Sequence, residues 1–431
     1  MNNSFVTSFR EAAPYIHYLH GKTIVLAMSS HIINEEHFPS LARDIALLNS
    51  LGIRIVLVHG VRHFLEKKGL SKNYQNGFRV TDQEDIEEIK RLCGAIRLDI
   101  EASLGMGFLH APAHTAKLSI AGGNFLLAQP IGVINGVDMQ FTGQVRKIDV
   151  SAINRCLDAS QLVLISPVGH SLGGVTYNLP LPETAADIAI ALKAEKLIFI
   201  SHISGILGEN EKILSNLSLN EANQYLQNYP QQPEIERIIP SVFKALEQGV
   251  RRVQIINGGK NGSLLEELFT RNGAGTSLAT SFTTIRAAVE RDVPDLMKLI
   301  EPMVQNGKLL PRTQDDIETH IREFFVAEYD QLIYGCAALK VFNQTIGEIS
   351  CLAISDKKRG QGYGDLLLKH IENYAKEKGI SQLLALTTQA SDWFLERGFI
   401  PTDYNILPKE RLEQYMNNKR NSLVFVKDLS I

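Results

Sequence analysis

The sequence predicts an α/β protein of two units in series: a three-layer α/β/α domain with a mostly parallel sheet, then a smaller α+β domain. The chain has 431 residues, and at about 150 residues per domain that length corresponds to two or three domains. From Lys22 onward, strand-like apolar runs alternate with helical patterns, which is typical of βαβ units. After residue 284, several strand-like runs follow one another, which predicts an antiparallel arrangement.

The front unit begins with an amphipathic helix at 4–20, and a second helix is predicted at 41–51. Its predicted strands are residues 23–28, 53–60, 161–166, 196–201 and 252–257. These elements predict a first domain at 1–278, a linker at 279–284 and a second domain at 285–431.

The second unit opens with a strand at 285 and a helix for which Asp292 is the predicted N-cap. Its other predicted strands are residues 324–328, 332–341, 346–354, 382–387 and 423–426. A glycine-rich turn leads from the strand at 346–354 into a helix with Leu366, Leu367, Ile371 and Tyr374 at helical spacing.

Composition and charge exclude several classes of protein. Hydrophobic residues make up 44% of the chain and charged residues 21%, with a formal net charge of −3, so no basic face for nucleic acid is indicated. No apolar run reaches the length of a membrane span, and the N-terminus lacks a signal-peptide pattern. We therefore predict a cytoplasmic protein that binds neither nucleic acid nor membrane.

The four cysteines are scattered along the chain, at Cys93, Cys156, Cys336 and Cys351. No pair has the Cys-x-x-Cys spacing of a zinc site, and no framework of short spacings indicates a disulfide scaffold. Buried thiols in a reducing compartment are the prediction, with no metal.

The glycine-rich turn suits a pyrophosphate, because Gly360, Gly362 and Gly364 let the backbone approach a ligand at the positive end of a helix. A dinucleotide-binding turn would need glycine or alanine at Asp365, and a Walker loop would need Gly-Lys-Ser/Thr. Both of these alternatives are therefore disfavoured.

The segment from Arg359 to Gly364 (RGQGYG) resembles the acetyl-CoA turn of the GNAT acetyltransferases, and the later strand at 382–387 with the helix ending in Gly398 and Phe399 resembles their second half. The resemblance implies acetyl-CoA as acetyl donor. The implied cofactor-binding residues are Leu352, Ala353, Ile354, Arg359, Gly360, Gln361, Gly362, Tyr363 and Gly364.

The front unit resembles the amino acid kinase fold, and most closely the kinase-like half of bacterial N-acetylglutamate synthases. The resemblance is carried by residues 21–25, 47–60, 142–149 and 266–276. Groups that active kinases use for phosphoryl transfer are replaced, since Ala27, Ser29, Ser30, Pro182 and Ser241 stand at those positions. The front unit is therefore predicted to be inactive as a kinase and regulatory.

The resemblance implies transfer of acetyl to the α-amino group of L-glutamate, the first step of arginine biosynthesis. Such an amine is mostly protonated near neutrality, so a base is needed, and Glu348 stands at the family position. Thr387 is the candidate partner of the departing thiolate, and Tyr404 is the less favoured alternative. The implied acceptor-binding residues are Arg312, Arg420 and Ser422. The planar guanidinium of an arginine can donate two parallel hydrogen bonds to a carboxylate.

The resemblance further implies inhibition by L-arginine and a homo-oligomer, such as a hexamer, joined through the N-terminal helix. The implied arginine-site residues are Tyr15, His17, Glu266, Glu267, Gly273 and Gly275. Two other functions stay open on the residues alone: a GNAT enzyme for another small amine or a protein lysine with a ligand-sensing front unit, and an active acetylglutamate kinase with an accessory GNAT unit.

Overall fold

The structure, a computed structural model, describes residues 4–70, 73–105, 118–208, 211–270, 272–329, 332–418 and 420–429. The chain divides into two compact units, and the boundary falls between Thr280 and Ser281. Within the described residues, no helix is long and apolar enough to cross a membrane.

The helices of the first unit, in the described residues, are α1 (Ser4–Leu19), α2 (Phe38–Ser50), α3 (Arg62–Lys67), α4 (Gln83–Gly105), α5 (Val150–Asp158), α6 (Leu181–Ala191), α7 (Leu219–Asn228), α8 (Pro233–Glu247) and α9 (Ser263–Phe269). The strands are β1 (Thr23–Met28), β2 (Arg54–His59), β3 (Tyr74–Gln75), β4 (Phe78–Arg79), β5 (Ile120–Gly122), β6 (Leu126–Pro130), β7 (Val133–Ile134), β8 (Val137–Asp138), β9 (Gly143–Ile148), β10 (Leu162–Ile165), β11 (Val168–His170), β12 (Thr176–Asn178), β13 (Lys196–Ser201), β14 (Asn216–Ser218), β15 (Arg252–Asn257) and β16 (Thr276–Ala279).

The main sheet of the first unit has the order β14-β16-β15-β13-β1-β2-β10-β5. Its central strands are parallel, and β16 runs antiparallel to β15. All six residues of β13 are buried, as expected of a strand covered by helices on both faces. Two hydrophobic clusters lie on opposite faces of this sheet: Val25 and Ala27 belong to one, Ile24 and Leu26 to the other. The predicted three-layer α/β/α domain is confirmed.

Helix α1 packs against α9, and its buried Leu19 joins the core of the first unit. At its other end, Phe5 and Phe9 stack at a ring distance of 6.0 Å and are 71% and 57% exposed. The helix therefore presents an apolar stripe that the described chain does not cover.

The second unit contains the helices α10 (Val293–Gln305), α11 (Gln314–Thr319), α12 (Tyr363–Glu377), α13 (Ser391–Leu395) and α14 (Lys409–Asn417) in its described residues. Its strands are β17 (Thr283–Ala287), β18 (Phe324–Tyr329), β19 (Leu332–Val341), β20 (Ile346–Ile354), β21 (Gln382–Thr387), β22 (Ile400–Thr402) and β23 (Leu423–Asp428). They form one sheet of order β17-β18-β19-β20-β21-β23-β22, in which β20 and β21 are the parallel pair. The predicted α+β architecture of the second unit is confirmed.

Two local expectations need adjustment. Ala279 ends β16 while Thr283 and Thr284 begin β17, so the predicted linker at 279–284 is shortened to residues 280–282. Asp292 does occupy the N-cap position of α10, but its carboxylate makes no capping bond to that helix. It accepts hydrogen bonds from Arg286 and from the Val289 N–H instead.

Candidate active site

The strands β20 and β21 separate toward their carboxyl ends. Their parallel ladder ends at the pair Ile349–Ala385, although β20 continues to Ile354. Cys351 has φ of 54°, a left-handed conformation unusual for a residue with a side chain, and the register with β19 shifts at the same level. Backbone groups of Leu352, Ala353 and Ile354 on the β21 side are thereby available to a ligand that enters the gap.

The predicted acetyl-CoA turn lies between β20 and α12. Gly360 and Gly362 both have φ of 79°, a conformation that glycine adopts without strain, and Gly362 is the N-cap of α12 without any side-chain capping bond. The first amides of α12 therefore remain available for an anion. Gly364 lies close to α13, since a Cβ there would stand 3.1 Å from the Trp393 ring.

Side chains around this turn are cationic and aromatic. The Arg359 guanidinium forms an exposed ion pair of 2.7 Å with Asp356. Lys358 lies 4.4 Å from the centroid of the Tyr329 ring, and Tyr363 is buried in the core of the second unit. Gln361 donates its backbone N–H to the carbonyl of Lys358 at 3.3 Å, which closes the turn.

Glu348 lies in the middle of β20 and is only 4% exposed. Arg411 of α14 donates from Nε and Nη2 to the two oxygens of this carboxylate, at 2.6 and 2.9 Å. Arg411 is itself 8% exposed. A buried carboxylate needs a cation or hydrogen-bond donors to stay charged, and the bidentate geometry fixes the direction of both side chains.

This ion pair faces a cavity of about 580 Å³ within the second unit. The volume is in the range of small-molecule sites, which is about 300–1,000 Å³. Ten of its eleven lining residues have polar or charged side chains; the lining consists of Leu310, Arg312, His320, Glu323, Lys340, Glu348, Ser350, Arg411, Gln414, Asn417 and Asn418. The cavity can therefore take a small charged molecule beside Glu348.

Arg312 is the predicted acceptor residue that the structure brings to this cavity, where it lies 5.7 Å from the centroid of the Phe324 ring. Arg420 and Ser422 do not line it. Arg420 donates from Nη2 to the carbonyl of Gly307 at 2.6 Å, and the Ser422 carbonyl accepts from the Tyr415 hydroxyl at 2.9 Å.

Thr387 lies at the carboxyl end of β21, as predicted. Its hydroxyl oxygen accepts from the backbone N–H groups of Ala390 and Gln389, at 2.9 and 3.2 Å. These bonds hold the chain that leads into α13, and the hydroxyl proton stays available for donation.

Sequence reasoning missed Arg411, Lys340 and His320, all of which line the cavity. Arg411 lies in the polar segment KERLEQ, which has no motif, and its pairing with Glu348 joins residues far apart in the chain. The sequence signal for such a partner was Glu348 itself. A carboxylate on a buried strand requires a cationic side chain from another part of the chain.

The first unit has its own cavity of about 340 Å³ at the carboxyl ends of β1, β2 and β13. Ser29, Ser30 and Pro182, at positions where kinases carry functional groups, lie in its wall. Ser241 is buried on α8 and is not part of the lining. Ala27 lies inside β1 and is fully covered.

Two histidines, His31 and His202, line this first-unit cavity, and His63 lies against His31. The rings of His31 and His63 are 3.9 Å apart, and those of His31 and His202 are 5.0 Å apart. Burial lowers the pKa of His31, and the neighbouring His63 and His202 lower it further. Burial likewise lowers the pKa of His63, with Lys67 adding to the effect.

The predicted arginine-site residues lie on α1, on α9 and in the loop after α9. Glu266 is exposed, whereas Glu267 is buried and accepts from Ala274 N–H at 2.7 Å and from Gly275 N–H at 3.1 Å. Burial raises the pKa of Glu267, against the opposing effect of these amides. Glu267 therefore holds the loop in place with bonds inside its own unit.

The glycines of that loop make room for this carboxylate and for a strand. Gly273 has φ of 65°, and a Cβ there would lie 2.5 Å from Glu267 Oε2. A Cβ on Gly275 would lie 2.0 Å from the Ile255 carbonyl oxygen. Tyr15 is half-buried and His17 exposed, both on α1, and Arg271 of the loop lies outside the described residues.

Comparison with protein-family models matches residues 22–257 to the amino acid kinase family and residues 293–399 to the acetyltransferase (GNAT) family. An amino-acid acetyltransferase of Neisseria meningitidis serogroup A is 43% identical over 431 residues, covering 99% of this chain and 98% of the relative. One of Ralstonia nicotianae is 38% identical, covering 99% of this chain and 95% of the relative.

Among solved structures, the N-acetylglutamate synthase of Neisseria gonorrhoeae in complex with coenzyme A and L-arginine is 42% identical, with a TM-score of 0.74 and full coverage of both chains. The same enzyme in complex with coenzyme A and N-acetyl-glutamate matches over the same length with a TM-score of 0.64. The similarity thus runs through both units and the boundary between them. This chain belongs to the amino-acid acetyltransferases of the N-acetylglutamate synthase family, in which an amino acid kinase-like unit precedes a GNAT acyltransferase unit.

Proposed function

We propose that this protein transfers the acetyl group of acetyl-CoA to the α-amino group of L-glutamate, giving N-acetyl-L-glutamate and CoA, the first step of arginine biosynthesis. The observation that carries the proposal is a buried Glu348 beside a cation-rich cavity, adjacent to the gap between β20 and β21. The full-length similarity to amino-acid acetyltransferases supports the same reaction.

The reaction requires a neutral amine that attacks the thioester carbonyl, after which the C–S bond breaks and the thiolate takes up a proton. Glu348 accepts the amine proton, directly or through a water, because it faces the cavity while Arg411 fixes its orientation. Each carboxylate oxygen keeps a second lone pair for this task.

We assign polarisation of the acetyl carbonyl to backbone N–H groups of the segment Leu352 to Ile354 that point away from β19, since β21 does not pair with that part of β20. The departing thiolate is stabilised by the Thr387 hydroxyl, whose oxygen is already held by two backbone amides. We assign Thr387 hydrogen bonding rather than complete proton donation, because a hydroxyl is a weak acid.

L-Glutamate presents two carboxylates. Arg312 binds one of them, and within the described residues no carboxylate pairs with its guanidinium. Lys340 is a second cation of the cavity, and its partner Glu410 is exposed and 3.3 Å away, a pairing that water weakens. For Arg420 to reach the acceptor it must leave the Gly307 carbonyl, which a long flexible side chain can do.

An assay of CoA release across the free amino acids tests this function, with a lysine-containing peptide and a simple alkylamine as further acceptors. We expect L-glutamate to be the preferred acceptor by a wide margin. Preferred turnover of another amine or of the peptide would replace the proposal by the broader GNAT interpretation. Formation of acetylglutamyl phosphate from ATP and N-acetylglutamate would show that the first unit is an active kinase.

We further propose that the first unit senses L-arginine and inhibits the transferase. The gonococcal relative was solved with L-arginine, and here α9 and its loop are held by the Glu267 carboxylate next to α1. Glu266 supplies the acceptor for a guanidinium, because Glu267 is already bonded within the loop.

We infer that the protein forms a homo-oligomer, such as a hexamer, through α1. The support is the exposed stripe of Phe5 and Phe9, which is apolar surface that the described residues do not cover. A cytoplasmic location, predicted from composition, stays a prediction.

A further inference from the structure

The first unit brings together three histidines and two carboxylates for which the transferase reaction has no use. His31 follows β1, His63 lies on α3 just after β2, and His202 follows β13. These three strands are neighbours in the parallel sheet, so their carboxyl ends meet at one edge. This edge is the usual location of ligand sites in such sheets.

The nitrogen atoms of His31 and His63 and a carboxylate oxygen of Glu66 all lie within 4.8 Å of one another. His63 and Glu66 are three residues apart on α3, which places them on the same helix face. In a tetrahedral zinc site with bonds of about 2.1 Å, neighbouring ligand atoms are about 3.4 Å apart. The ligand atoms of the three side chains therefore need to approach one another by up to about 1.4 Å, a change that small side-chain rotations allow.

Within the part of the chain that the structure describes, the ring nitrogens of His31 and His63 make no hydrogen bond. Glu66 accepts a hydrogen bond from Arg62 Nε at one oxygen, Oε1, at 2.6 Å, so its Oε2 can bind another partner. Both imidazoles, whose rings lie 3.9 Å apart, therefore keep ring nitrogens that can coordinate an ion.

His202 adds a feature typical of metal centres. Its Nδ1 lies 3.0 Å from Glu234 Oε2, an arrangement that fixes the ring and leaves Nε2 for a ligand. Carboxylate–histidine pairs of this kind orient metal-bound imidazoles in proteins. Its ring lies 5.0 Å from that of His31, so the side chains of His31 and His63 need to move toward it for all three imidazoles to share one ion.

We propose that His31, His63 and Glu66 form a binding site for a divalent transition metal ion, with His202 as the fourth ligand. Two or three imidazoles with a carboxylate favour zinc, cobalt, nickel or copper over magnesium and calcium, which prefer oxygen ligands. The site opens onto the 340 Å³ cavity of the first unit. It is independent of the acetyl-transfer site, which lies in the second unit.

The test is calorimetric titration of the full chain, purified without a histidine tag and stripped with chelator, with ZnCl₂. We expect one zinc ion per chain with micromolar or tighter affinity. His31→Ala and His63→Ala should each weaken binding at least tenfold, and His170→Ala, which removes an exposed histidine of the same unit, should leave it unchanged. Co²⁺ in place of zinc should give the intense visible absorption of four-coordinate cobalt.

Arg62→Gln provides a second test that does not remove a ligand. It frees both oxygens of Glu66, so zinc affinity should be equal or higher. Circular dichroism of each variant checks that the fold is retained. The proposal is overturned if zinc does not bind at concentrations up to about 100 μM. It is also overturned if zinc binding survives both histidine substitutions, or if His170→Ala weakens zinc binding as much as those substitutions do.

Discussion

The carboxylate of Glu348 meets two demands at once, because it must stay charged in a buried place and still accept a proton during each turnover. Arg411 satisfies the first by donating to both oxygens. The same guanidinium limits proton acceptance, since a proton can bind only to those carboxylate lone pairs that Arg411 does not occupy. The balance between these effects makes this pair the most informative place to substitute.

Replacing Glu348 by Gln keeps the shape and removes the base. We expect kcat to fall by about 10²- to 10⁴-fold, the contribution usual for general bases, while the Kd for acetyl-CoA changes little. Steady-state kinetics and calorimetry measure the two quantities. Glu413→Gln, an exposed glutamate on α14, serves as the control and should retain full activity. A rate and pH profile unchanged in Glu348→Gln would remove this residue from the mechanism.

Replacing Arg411 by Met leaves a buried carboxylate without its partner. The cost of such an unpaired charge is about 3–5 kcal/mol of folding free energy. Trp393 is the single tryptophan and lies in the second unit, so its fluorescence during urea unfolding reports that unit alone. Lys409→Met, at an exposed position of the same helix, is the control. The double variant Glu348→Gln/Arg411→Met should recover part of the loss; equal stability of Arg411→Met and the parent would contradict a stabilising pair.

At the scale of elements, the strands were predictable because their apolar content is continuous and bounded by turn residues. Residues 23–28, 196–201, 252–257, 332–341 and 346–354 coincide with strands of the structure. The left-handed Cys351 within β20 was not predictable, because it follows from the register with β19 rather than from local sequence. The same holds for Arg411, whose partner is set by how α14 packs.

The glycine turn offers a comparison between the two ends of one helix. Gly362 precedes α12 with φ of 79°, and Gly379 follows it with φ of 81°. Alanine at either position should cost about 1–2 kcal/mol, the penalty of a left-handed residue with a Cβ. Gly362→Ala should also weaken CoA binding by about tenfold, or about 1.4 kcal/mol, because its methyl group occupies the anion site.

Calorimetry with CoA and urea unfolding separate the two effects of these substitutions. Gly379→Ala should lose stability but keep its CoA affinity, since a Cβ there meets only the Gln344 carbonyl at 4.0 Å. If both variants bind CoA as the parent does, the turn does not hold the pyrophosphate.

At the scale of the whole molecule, the first unit supplies a response to L-arginine in our proposal. We expect calorimetry to give heat from the full chain and none from a truncated protein that begins at Ser281, where the second unit starts. L-Arginine should lower the activity of the full chain only, because inhibition needs a coupling between the two units. Heat from both proteins, or from neither, would argue against a sensor in the first unit.

Assembly through α1 is tested by introducing charge into its apolar stripe. Phe5→Asp combined with Phe9→Asp should shift the mass measured by light scattering toward the monomer, because burying two carboxylates in an interface is unfavourable. Leu172→Asp is the control, as Leu172 is 79% exposed elsewhere on the first unit. An unchanged mass in the α1 variant would exclude this helix as the contact.

The number of units could be predicted from the length and the pattern of the sequence. The bounds of the segment that joins them were harder to predict. Residues 279–284 are expected from the sequence to form a linker, whereas Ala279 and Thr283 belong to strands of different sheets. Strand membership there depends on partners distant in the sequence, Asn216–Ser218 on one side and Tyr329 on the other.

The strand order of the first sheet also has a consequence for the growing chain on the ribosome. The last strand of the unit, β16, lies between β14 and β15, so β14 has no neighbour in this sheet until residue 279 has been synthesised. Synthesis proceeds at about 5–20 residues per second, so β14 has no partner in this sheet for several seconds after it has been made. The first unit therefore completes its sheet only when nearly all of its residues have left the exit tunnel, while the second unit is still being made.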